Sequence, residues 1–179
     1  CQAMLTVDMR VDALHVDLLS CNGSKIYGPK GIGMLYKRRG CAVQPLLFGG
    51  SQQYGFRPGT EPVELIAGFA HAMTLLAQRK TYYHTQVATL RDRLEATLTS
   101  AFPTAKVHGP SNKGGQRAPQ YISVSFEDVD NEALAMYLDA KGISVGTGSA
   151  CSSIEGQPSH VLSAMGVSYK DIRSTIRIT

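Results

Sequence analysis

Asn22-Gly23-Ser24-Lys25-Ile26-Tyr27-Gly28-Pro29-Lys30-Gly31-Ile32-Gly33 is the stretch on which the reading of this chain turns. Its glycines and its proline specify a turn rather than a regular element. Residues 16–20 before it read as a short buried strand ending in Ser20, and the alternating run Ile32 to Tyr36 after it reads as a second strand. Lys25 therefore stands at the end of a strand, in a turn of small residues, where a side chain is placed to project into a cleft. Asn22 and Ser24 beside it are suitable hydrogen-bond partners for a phosphate. Taken alone, Lys25 reads as well as a surface lysine in a loop. The glycine spacing is not that of a P-loop.

Outward from this turn, the totals set bounds. The chain has 179 residues, which suits one domain or parts of two. It is 43% hydrophobic and 18% charged, a globular composition. The net charge of +4 fits an anionic ligand or plain surface lysines better than a nucleic-acid footprint. The basic run Lys37-Arg38-Arg39 reads as a solvated turn. The cysteines are Cys1, Cys21, Cys41 and Cys151, with no CxxC pair, which speaks against a zinc ribbon or a thioredoxin-like motif. Free thiols in a reducing cytoplasm are expected, with no metal site and no disulfide scaffold. No signal peptide or apolar run of membrane-spanning length is visible, so no membrane partner is expected. The chain starts with Cys1 and ends at Ile178-Thr179 inside an alternating pattern; both ends look cut, so a fragment of a longer protein is expected.

Residues 45–50 read as a further short strand. From Thr60 the pattern turns helical, with Thr60 as a cap and Pro62 tolerated in the first turn. Ile66, Ala70, Met73 and Leu76 keep helical spacing, and Val87, Leu90, Leu94 and Leu98 continue it to about residue 100, with a break expected near 77–84. After Pro103 the chain reads as a smaller α/β unit with strands at 105–108, 120–126, 143–146 and 174–179. Asp130 caps a helix in which Leu134, Tyr137 and Leu138 share a face and which Gly142 ends. A short helix is expected at 159–165.

Three further positions carry chemistry. Cys151 lies in Gly146-Thr147-Gly148-Ser149-Ala150-Cys151-Ser152-Ser153. A segment of such small side chains buries little apolar area, so a mobile, exposed loop is expected. An accessible thiol there is a nucleophile if its thiolate is favoured, and otherwise an incidental free cysteine. Cys21 and Cys41 read as packing residues. Arg57 and Thr60, just before a helix N-terminus, make a natural anion site. Arg177, flanked by Ile176 and Ile178 on a strand, suits bidentate binding of a carboxylate or is a surface arginine.

The order of these blocks is more specific than any one of them. The Lys25 segment, Arg57-Pro58-Gly59-Thr60, Ser123-Val124-Ser125-Phe126, Gly148-Ser149-Ala150-Cys151-Ser152 and Ser174-Thr175-Ile176-Arg177 together resemble the cysteine desulfurases, in the class V aminotransferase group of fold type I enzymes dependent on pyridoxal 5'-phosphate (PLP). The resemblance covers essentially the whole chain. It implies an α/β fold: the C-terminal part of a PLP fold type I large domain (1–62), a connecting helical region (63–100) and a small α/β (α+β) C-terminal domain (101–179), truncated.

The same resemblance implies residue roles. Lys25 matches the Schiff-base lysine, and Gln2 the glutamine bonded to the cofactor's phenolic oxygen. Thr60 matches the threonine that reaches the phosphate of the partner subunit's PLP, with Asn22 and Ser24 in the cofactor pocket. Cys151 matches the persulfide-forming cysteine, and Arg177 the arginine that grips the substrate carboxylate. The implied reaction converts L-cysteine to L-alanine and leaves sulfur on Cys151, in a cytoplasmic homodimer that serves a sulfur acceptor such as an iron–sulfur scaffold, with no nucleic-acid partner. Two departures stand out: Ser24 replaces the usual histidine and Asn22 a frequent serine. The family's N-terminal half, with the ring-stacking histidine and the pyridine-pairing aspartate, has no counterpart here, so this chain alone is expected to lack a complete pocket. Other readings are a selenocysteine lyase, a sulfinate desulfinase, an aminotransferase (which needs no cysteine in that loop) or a partner-binding remnant without activity.

Overall fold

The computed structural model of the protein describes residues 1–110, 117–148 and 158–179. The chain divides into two compact units, Cys1–Tyr83 and His84–Thr179. The division falls inside the long helix rather than at its ends. Among the described residues no helix is long and apolar enough to cross a membrane.

The first unit opens with a 3₁₀ turn, Gln2–Leu5, and a short helix α1 (Val11–Leu14). Strands β1 (Leu18–Asn22) and β2 (Gly33–Lys37) follow, antiparallel, with Leu18 opposite Lys37 and Asn22 opposite Gly33. Helix α2 (Val63–Ala101) contributes its N-terminal half. Met4, Leu5, Cys21, Ile26 and Phe69 form the core, with Leu19, Met73 and Leu76 packed against it. The expected strand at 16–20 thus starts two residues later, and it is not buried throughout. Side chains alternate across a strand: Leu19 and Cys21 turn to the core, while Leu18 is left exposed.

Several expectations fail for local reasons. Residues 45–50 form no strand; Leu46 and Phe48 are 92% and 86% exposed. Pro45 has no N–H to give a ladder, and Gly49-Gly50 offer no side chain to pack. Thr60 does not cap α2, which begins at Val63, where the Pro62 carbonyl accepts from Leu65 and Ile66 N–H at 3.0 Å each. The expected break at 77–84 is absent. That segment holds neither glycine nor proline, so nothing interrupts a helix of about 58 Å. Arg38 is not simply solvated: its guanidinium binds Asp17 at 3.0 Å, Asp12 at 3.2 Å and the Val16 carbonyl at 3.0 Å.

The second unit sets the rest of α2 beside a three-stranded antiparallel sheet in the order β3 (Lys106–Val107), β4 (Ile122–Ser125), β5 (Thr175–Ile178). Helices α3 (Asn131–Asp139), α4 (His160–Ala164) and α5 (Tyr169–Arg173) complete it. Ile122, Val124 and Ile176 form its core, with Leu98, Leu134 and Leu138 against them. The cap on α3 is as expected: Asp130 Oδ1 accepts from the Glu132 and Ala133 amides at 3.0 Å each. Tyr137 leaves the Leu134–Leu138 face and is exposed, with the Lys141 ammonium 5.7 Å from its ring.

The expected strand at 143–146 shrinks to a single bridge between Gly146 and Arg177. Its first residue is claimed by the helix end. Gly142, at φ 77°, donates to Asp139 O at 2.8 Å, and Ile143 N–H closes on Leu138 O at 2.9 Å, a Schellman termination. Helix α5 lies outside the expected elements, although Ser168 and Asp171 announce it: Ser168 Oγ accepts from Asp171 N at 3.1 Å and lies 2.9 Å from its carboxylate.

His108 sits in this sheet with Nε2 2.9 Å from Ser125 Oγ. Burial pushes its pKa below the ordinary 6.5, aided by the nearby Lys106 charge and opposed by the Asp171 carboxylate. A base whose folded pKa is depressed contributes full stability above its unfolded value and loses it as pH falls through that value toward the folded one. Stability of the second unit is therefore expected to drop between about pH 7 and pH 5. His108→Gln should flatten that decline in urea titrations at the two pH values; an identical decline in the variant would contradict the assignment.

Candidate functional site

The Lys25 turn is built from backbone constraints. Asn22 ends β1, and its Oδ1 accepts from Ser24 N at 2.9 Å and Ser24 Oγ at 2.8 Å. That cap starts a 3₁₀ turn, Gly23–Ile26. Gly23 N donates to Ile32 O and Gly28 N to Gly23 O, both at 2.9 Å. A Cβ at Gly23 would lie 2.7 Å from the Pro29 carbonyl oxygen, so only glycine fits. Ile26 is buried and pins the turn to the core, while Lys25, one residue earlier, is exposed. Tyr27 then takes a left-handed conformation at φ 61°.

Gln2 lies in the same unit. It is exposed on a turn whose next residues, Met4 and Leu5, share a cluster with Cys21 and Ile26. Thr60 is exposed in the same unit. The Arg57 guanidinium bonds the Pro58 carbonyl. Gly59 N donates to Gln52 Oε1 at 3.3 Å. Helix α2 starts three residues beyond Thr60, so Arg57 and Thr60 lie on the segment that leads into it.

Arg177 lies in the second unit, on β5 opposite Ser123. Its backbone exchanges two hydrogen bonds with Gly146, 2.9 Å from Gly146 N to Arg177 O and 2.6 Å from Arg177 N to Gly146 O. Its Nε is buried and finds no partner among the described residues. An unpaired buried donor of this kind costs about 1–3 kcal/mol, and an acceptor such as a carboxylate removes that cost. Cys151 lies outside the described residues.

The donor set fits PLP. Lys25 presents an exposed primary amine on a hydrogen-bonded turn. The Asn22 carbonyl oxygen is already occupied by Ser24, which leaves the Asn22 amide N–H groups as the donors toward a phosphate. The sequence did not disclose a groove of about 530 Å³ beside this turn, lined by Ile26, Tyr27, Pro29, Ala72, Leu75 and Arg79 among others. Its signal was present as helical spacing at Gly68, Ala72, Leu75 and Arg79, but that pattern reads equally as ordinary core.

The aminotransferase class-V family model matches residues 1–179, and the chain belongs to that family. A cysteine desulfurase of Klebsiella pneumoniae is 40% identical over 179 residues, 99% of this chain and 44% of that protein. Among solved structures, a NifS-like protein superposes with a TM-score of 0.84 at 31% identity, over 98% of this chain and 44% of the other. SspA in complex with cysteine superposes with a TM-score of 0.69 at 29% identity, over 99% of this chain and 48% of the other. The chain thus spans less than half the length of the relatives it matches, and the fold is that of the fold type I enzymes.

Gly23→Ala is expected to lower stability by about 1–3 kcal/mol, because the new methyl must displace the Pro29 carbonyl. The denaturant midpoint measures this. A variant as stable as the parent would show that the turn has room to spare.

Proposed function

We propose that this chain is the part of a PLP-dependent cysteine desulfurase that carries the cofactor-binding lysine and the sulfur-accepting cysteine. The observation that supports it best is the Lys25 turn: an exposed amine on a turn that passes too close to Pro29 for any residue but glycine at position 23, in a chain 40% identical along its length to a cysteine desulfurase. Lys25 Nζ holds the cofactor; Gln2 serves its phenolic oxygen, and Asn22 and Ser24 line its pocket. Thr60 reaches the phosphate bound by a second copy, so the working form is a homodimer. When bound, PLP draws electrons away from the substrate's α-carbon.

The chain's own residues then act on L-cysteine. Arg177 takes its carboxylate through the guanidinium. Lys25 Nζ, once free, moves a proton at the substrate's α-carbon. The Cys151 thiolate attacks the substrate sulfur: an S–S bond forms, the C–S bond breaks, and its electron pair stays with carbon, where a proton quenches it. Alanine leaves and Cys151 holds a persulfide, which an acceptor protein such as an iron–sulfur scaffold takes in the cytoplasm. The chain spans less than half the length of its relatives, and on this reading it supplies only part of the cofactor pocket.

In the intact protein, Cys151→Ser should abolish cysteine-dependent sulfide release and leave the cofactor's visible absorbance in place, whereas Lys25→Ala should remove both. Sulfide release by the Cys151→Ser protein would refute the role given to that cysteine.

A further inference from the structure

Asn131 is 5% exposed, at the first turn of α3, and its carboxamide is unusual in what it touches. Nδ2 donates to the Thr175 carbonyl at 3.0 Å and lies 3.4 Å from the carbonyls of both Thr147 and Ile172. An amide nitrogen has two protons. One serves Thr175; the other is shared between Thr147 and Ile172. The acceptors belong to segments with different tasks. Thr147 stands four residues before Cys151, and Thr175 two residues before Arg177.

The start of α3 is itself held in place. Asp130 Oδ2 receives the Arg173 guanidinium at 3.0 Å, which ties α3 to the end of α5. Among the described residues, the segment before Cys151 has two ties to this frame. One is the reciprocal backbone pair between Gly146 and Arg177. The other is the Asn131 contact with Thr147. At Gly146 the fit is close: a Cβ there would stand 3.2 Å from a terminal nitrogen of Arg177.

We infer that Asn131 is a positioning residue for sulfur transfer: its buried carboxamide fixes the root of the Cys151 segment to the strand that presents Arg177. The inference rests on the desulfurase reading, in which Cys151 must meet a substrate whose carboxylate Arg177 holds. Asn131 touches neither substrate nor cofactor. It acts by setting the spacing of two segments that do. An apolar residue of similar size would fill the space yet leave that segment, among the described residues, only the Gly146–Arg177 backbone pair.

The test uses the intact, PLP-loaded protein with Asn131→Ala, Asn131→Ser and, in parallel, Cys151→Ser. Asn131→Ala should cut kcat for sulfide release about ten- to a hundred-fold per loaded enzyme, since a misplacement of about 1 Å is enough for such losses. Cofactor absorbance should be retained. Asn131→Ser keeps a short donor that reaches one carbonyl, and should recover part of the rate. It also serves as the readable variant if Asn131→Ala does not fold. Lower melting temperatures with kcat and KM within two-fold of the parent would make Asn131 merely structural and overturn the inference. If those variants are normal and Cys151→Ser is dead, only the positioning role fails. If Cys151→Ser is active, the desulfurase reading fails with it.

Discussion

The close approach of the Gly23 backbone to Pro29 and Ile32 is the constraint on which the candidate site depends. With 2.7 Å between an imagined Cβ and the Pro29 oxygen, the chain can turn there only without a side chain. That contact lets Gly23 N bond Ile32 O and lets Asn22 cap the turn through Ser24. Ile26 can then enter the core while Lys25 is held out of it. Proline 29 also presses on α2, since a Cβ at Gly68 would stand 2.7 Å from its ring. One turn thereby links the strand that leads to the lysine with the helix that backs it.

The second unit solves a comparable problem with polar atoms. A short three-stranded sheet and three short helices offer little apolar area, and the core cluster of the sheet is Ile122, Val124 and Ile176, with Leu162 and Ile172 buried besides. Side chains that cap helices do much of the remaining specification: Asp130, Ser159 and Ser168 each accept from backbone amides in the first turn of their helix. Lys106 and Ser168 bond the Asp171 carboxylate and hold it below the usual carboxylate range. The Asp130 and Asp171 contacts involve the residues around the start of β5, the strand that bears Arg177.

The parts of this architecture that follow local rules were legible in the sequence. The Asp130 cap, the Gly142 stop and the strand after the glycine turn depend on a few adjacent residues, and they stand where the pattern put them. What failed depended on partners. Residues 45–50 have the apolar content of a strand but no neighbour to pair with among the described residues. The 143–146 strand lost its first residue to the closure of α3, a competition that periodicity does not register. For the site, sequence order singled out Lys25, Cys151 and Arg177. It could not show that the buried Arg177 Nε has no partner among the described residues, or the three carbonyls gathered by Asn131, because both arise from segments far apart in the chain.

The measurement closest to the central claim is chemical trapping of the lysine. The intact protein, loaded with PLP, is reduced with borohydride, digested, and its peptides are mapped by mass spectrometry. The account requires the pyridoxyl group on Lys25. Its appearance on Lys30 or another lysine, or on none, would contradict it.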